Sequence, residues 1–106
     1  MDFGANIIKL SDQIINSYAG KHVLHQLIRS ATSAGANYEE ACGGESSKDF
    51  IHKLQISFKE LKDSLYWLKL IEKADLTIQN NINDLKSENE QLIRIIAKSV
   101  ITAKKK

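Results

Sequence analysis

The chain has 106 residues, 42% of them apolar and 26% charged, with five glycines, no proline and a formal charge of +2. That length fits one small domain over residues 1–106 and argues against two, and the apolar share excludes disorder throughout. Fifteen Lys/Arg against thirteen Asp/Glu is too even to imply a nucleic-acid or membrane partner from bulk charge. A single cysteine excludes an intrachain disulfide framework and suits a reducing compartment. Met1-Asp2 opens no basic, then apolar, leader pattern, and no apolar run approaches the ~18 residues of a membrane span. A cytoplasmic chain without membrane contact is therefore expected.

Four segments carry a helical period. The first is predicted over about 3–18, where Phe3, Ile7, Leu10, Ile14 and Tyr18 draw one apolar stripe. Ala19-Gly20-Lys21 is expected to end it, with Gly20 as a left-handed cap. The second is predicted over about 22–42, with Leu24, Leu27, Ala31, Ala34, Tyr38 and Ala41 at helical spacing. Its centre, Ser30 to Ala36, holds nothing larger than threonine. Gly35 there costs about 1 kcal/mol relative to alanine; it reads either as a site of close approach for another backbone or as a glycine with no such role.

Cys42-Gly43-Gly44-Glu45 breaks the pattern, and Ser46 or Ser47 can cap a third helix over about 47–73. Ile51, Leu54, Phe58, Leu61, Leu65 and Leu68 form a heptad seam, and Phe50, Trp67, Leu70 and Ile71 a second apolar edge. A helix apolar on two sides needs two neighbours. After Ala74-Asp75-Leu76-Thr77, a fourth helix is expected over about 78–103, with Asn89 in the seam between Leu85 and Leu92 as a register-fixing residue. Short connections between four helices predict an all-α, antiparallel up-down-up-down four-helix bundle.

Few residues suggest chemistry. No Glu-x-x-His is present, and His22, His25 and His52 supply no third ligand, so neither a metal nor a cofactor is expected. Cys42 paired with His52 would need a thiolate, which a helix C-terminus opposes. Glu39 and Glu40 are adjacent on a helix and do not face each other. Gly43-Gly44 lacks the Lys and Ser/Thr of a phosphate loop. No catalytic residue is assigned, and an enzyme is not expected.

One stripe does stand out: Arg29, Ser33, Asn37 and Glu40, spaced 4, 4 and 3 beside the small-residue patch. It reads either as a solvated face or as a buried subunit contact. In the second reading, Arg29 meets a carboxylate from a neighbour and Asn37 a backbone group. Lys104, Lys105 and Lys106 form the one like-charge run; they suit the helix dipole and are also candidate nucleic-acid contacts.

The run Gln26 to Tyr38, with Arg29, small residues, Ser33 and Asn37, resembles the signature of the bacterial 23S ribosomal RNA intervening-sequence proteins. Ser47 to Leu54, Glu60 to Leu70 and Ile101 to Lys104 resemble that family's later blocks, in its order. Ala34-Gly35-Ala36-Asn37 and Glu40-Ala41 replace the Ile-Pro-Ser-Asn and Glu-Gly of the commoner version, so the chain looks like a proline-free branch. The resemblance implies a four-helix bundle assembled as a homopentameric ring. It also implies kinship with accessory variability proteins of diversity-generating retroelements, which bind a reverse transcriptase and nucleic acid. By the same resemblance Arg29, Ser33, Gly35, Asn37 and Glu40 serve structure or assembly.

The expected function is a non-enzymatic oligomeric scaffold or adaptor whose first partner is itself. The alternative is an RNA- or DNA-binding accessory using a basic surface of the oligomer. In a fivefold ring, +2 per protomer becomes about +10, with five lysine tails on one rim. A partner protein is a further expectation.

Overall fold

A computed structural model describes residues 1–44, 46–78 and 81–105. Four α-helices follow one another: α1 (Phe3–Leu10), α2 (Tyr18–Cys42), α3 (Ser47–Lys73) and α4 (Ile82–Lys104). Among the described residues there is no strand, only an isolated antiparallel bridge between Ile14 and Thr77. Each helix runs against the next. Arg29 meets Glu60 while Glu40 meets Lys53, so α2 and α3 are antiparallel. Asn89 reaches Leu61 while Lys86 reaches Glu72, so α3 and α4 are antiparallel as well. Helix α1 lies over α2 at Ala31 and Thr32 and touches α4 through Asn6 and Glu88, which closes the four-helix arrangement. The rod measures 47 × 19 × 18 Å.

The expected first helix over 3–18 is shorter than its apolar period suggests. Phe3, Ile7 and Leu10 are buried as expected, but α1 ends at Leu10. A 3-10 turn over Ser11–Gln13 follows, and Ile14 is extended at ψ 136°. The competing signal is Ser17, which accepts a hydrogen bond from the Gly20 amide at 3.0 Å and starts α2 at Tyr18. Such N-caps hold an otherwise unpaired amide. Gly20 is thus no left-handed cap: it lies in the first turn of α2, and no described glycine has a positive φ. A Cβ there would collide with the Ile15 carbonyl, so close backbone approach requires glycine at this position.

Helix α3 begins where expected, with Ser46 accepting from the Asp49 amide at 3.1 Å. It ends on a Schellman turn: the Asp75 amide donates to Glu72 and the Leu76 amide to Ile71, with Asp75 left-handed at φ 53°. Helix α4 begins at Ile82, four residues after the expected start. Gln79 and Asn80, in that disputed stretch, lie outside the described residues, as does Glu45.

The core joins Phe3, Ile7 and Leu10 to Leu27, Ala31, Ala34, Leu54, Leu61, Leu68, Ile71, Ile82 and Ile96. The α3 seam is rotated from its expected line. Leu54, Ser57, Leu61, Ser64, Leu68 and Ile71 are its fully buried residues at heptad spacing, and Ile51, Phe58 and Leu65 lie at the rim. Serine at two seam positions lets α2 come close. Ser57 Oγ donates to the Ala34 carbonyl at 2.9 Å, and the Ser30 and Ser64 hydroxyls pair at 2.9 Å. Ser30 and Ala34 of the small-residue patch therefore face α3, and Phe58 and Leu65 of the bulkier α3 rim lie beside Ile93 of α4. Asn89 is fully buried and donates to the Leu61 carbonyl at 2.9 Å, as a seam asparagine that fixes register would.

Candidate functional site: a polar seam and a basic, apolar groove

The stripe spaced 4, 4 and 3 on α2 borders α3. Arg29 Nη1 donates to Glu60 Oε2 at 3.0 Å; the arginine is half exposed, whereas the Glu60 side chain is only 8% exposed. Asn37 Nδ2 donates to the Ser33 carbonyl at 2.9 Å and to its hydroxyl at 3.3 Å. Glu40 closes the stripe on Lys53 at 2.8 Å. This hydrogen bond, and then the carboxylate charge, hold Lys53 above the usual lysine value.

The carboxylate that meets Arg29 thus comes from the same chain, 31 residues further on. Glu60 and Lys53 were not singled out from sequence. Glu60 sits in an a/d-patterned helix one position before Leu61, and only its burial marks it. Gly35, set beside this stripe, has nothing within 4 Å of where a Cβ would stand, so no backbone of the same protomer exploits it.

The stripe and the lysine end are separate. Lys104 borders a hollow with Lys48, His52, Ile51 and Gln55 at the start of α3. Lys98 lies in the adjoining hollow with Phe50, Ile95 and Thr102. Lys105 is exposed just past α4, and Lys106 lies outside the described residues. The fold therefore adds Lys48, His52 and Lys98 to the basic end, residues that linear charge counting passed over because they lie some 50 positions from the lysine run in sequence or, for Lys98, six positions before it.

Further along the same α3–α4 side runs a groove of about 540 Å³. Phe58, Leu65 and Ile93 contribute its apolar surface, and Tyr66, 58% exposed, stands at its edge. Lys62, Lys69 and Arg94 surround it with one acid, Glu90. Lys62 Nζ lies 5.5 Å from the Phe58 ring centre, a cation–π contact. Tyr66 packs edge-on against Trp67 with ring centres 4.9 Å apart.

Among the described residues no three His, Cys, Asp or Glu side chains gather as a metal site would require. Cys42 is exposed and bonds Tyr38, whose phenol this contact holds above its usual value, while His52 belongs to the lysine hollow. No described helix is long and apolar enough to cross a membrane.

The comparisons agree with this fold. The family model described as "23S rRNA-intervening sequence protein" matches residues 1–98. The chain belongs to that family. A solved structure similar to it is a protein of unknown function from the S23 ribosomal protein family of Bacteroides thetaiotaomicron VPI-5482. The two are 27% identical with a TM-score of 0.84, over 93% of this chain and 92% of that one. No curated protein matches.

Proposed function

We propose that this protein is a non-enzymatic scaffold or adaptor of the cytoplasm that works as an oligomer, a ring of five protomers. One observation carries the reading: large apolar side chains of α1, α3 and α4 stand outside the packed core, with Ile8, Tyr66, Ile95 and Ile101 each at least half exposed. A display of this kind on three helices suits copies that cover one another. Family membership supports it, and the polar stripe is engaged within the protomer: Arg29 and Glu40 pair across to α3, and Asn37 bonds Ser33 within α2.

Size-exclusion chromatography with light scattering tests this. Five protomers of 11.9 kDa give a mass of about 60 kDa; a mass of one protomer at high concentration overturns the reading. Nucleic-acid binding is the second reading, favoured by the gathering of Lys48, His52, Lys98, Lys104 and Lys105 at one end of α3 and α4. Filter retention of RNA that weakens steeply with added salt supports it. No retention at low salt removes it.

A further inference from the structure

The exposed large apolar residues fall into two groups. Met1, Ile8, Ile15 and Tyr18 run from just before α1 to the first residue of α2, with Ile78 across the Ile14–Thr77 bridge; Tyr66, Ile95 and Ile101 belong to α3 and α4. Helix α1 is apolar on two faces. Phe3, Ile7 and Leu10 point into the core, while Ala5 and Ile8 of α1 are exposed, as are Met1 just before the helix and Asp12 in the turn after it. We propose that the α3–α4 groove of one copy receives this outer face of α1 from a second copy. In that contact Ile8 enters among Phe58, Leu65 and Ile93, and Asp2 and Asp12 face Lys62, Lys69 and Arg94.

Three observations support this pairing, which rests on the self-association reading above. The charges are complementary in position: Asp2 and Asp12 stand at the two ends of the α1 segment, whereas the groove sets three cations against Glu90. The lengths agree, since eight helical residues span about 12 Å and the α3 stretch from Phe58 to Lys69 about 16 Å. The groove is also held ready, because Trp67 braces Tyr66 and Lys62 lies over Phe58. Knob and groove are different surfaces, so the contact is head-to-tail, and such a contact closes a ring or propagates.

The test uses two full-length variants, Ile8→Glu and Tyr66→Glu, each at an exposed position. Light scattering is expected to give a single-protomer mass for each alone. Mixed, they are expected to form a dimer and stop there, because the groove intact in Ile8→Glu accepts the α1 intact in Tyr66→Glu. Lys69→Glu replaces Tyr66→Glu if the latter loses its helical circular dichroism. Wild-type multimers that persist in both variants, or variants that stay single when mixed, overturn this contact and leave the scaffold reading standing. A wild type that is itself a single protomer overturns both. If that single protomer then holds RNA in a salt-sensitive way that Lys69→Glu abolishes, the groove belongs to nucleic acid instead.

Discussion

Arg29 and Glu60 illustrate how a polar residue inside a helical seam is kept. The carboxylate is almost fully enclosed, and the half-exposed guanidinium supplies the charge-assisted hydrogen bond that enclosure demands. Removing one partner leaves the other uncompensated, which costs more than the pair is worth. Arg29→Met is therefore expected to lower stability by about 1–3 kcal/mol. Adding Glu60→Met to it should restore part of the loss, because the enclosed charge goes too. Urea unfolding of the single and double variants measures this; a double variant weaker than the sum of its singles refutes the pairing. Here the spacing of Arg29, Ser33, Asn37 and Glu40 was readable in the sequence as a stripe. Its acceptor was not, since Glu60 lies on another helix and periodicity within one helix carries no information about which neighbour it meets.

At the scale of elements, α3, the body of α2 and most of α4 were legible because their apolar periods are long, and α3 also because Ser46 caps it. The α1–α2 junction was not. Ile14 and Tyr18 keep helical spacing with Leu10, yet Ser17 captures the Gly20 amide and Ile15 pairs with Leu76 instead, so backbone hydrogen bonding overrode side-chain period. The α3 seam was misplaced for a related reason: Ser57 and Ser64 do not read as core residues, although Ser30 and Ala34 opposite them make serine the right size. The two helical glycines of α2 should respond in opposite directions. Gly20→Ala drives a Cβ into the Ile15 carbonyl and is expected to lower the melting temperature. Gly35→Ala meets open space in the protomer and should stabilise it by about 0.5–1 kcal/mol. A larger substitution, Gly35→Leu, is expected to interfere with assembly if another copy approaches there; unchanged scattering mass would release Gly35 from that role.

Over the whole molecule, the helices do not share the rod equally. An α1 of eight residues is about a third the length of α3, so much of the bundle is a three-helix structure with apolar rims at Phe50, Ile95 and Val100. In the proposed oligomer this apolar surface is covered by neighbouring copies, which would stabilise the protomer. Its melting temperature is therefore expected to rise with protein concentration, as it does for any fold completed by its own copies. Calorimetry across a hundredfold concentration range checks this; a constant midpoint would indicate a self-sufficient protomer.

The bridge between Ile14 and Thr77 joins parts of the chain 63 residues apart through two amides, Ile15 to the Leu76 carbonyl and Ile78 to that of Gln13, each at 2.8 Å. Contacts of that sequence separation close after the local α2–α3 hairpin has formed, and they tie the segment that follows α1 to the turn that follows α3. Those two amides thus act as a latch between the ends of the molecule's folding history. In deuterated solvent they are expected to exchange together, sooner than the amides of Leu54 and Leu61, and so to report each release of that segment from a bundle that is otherwise still standing.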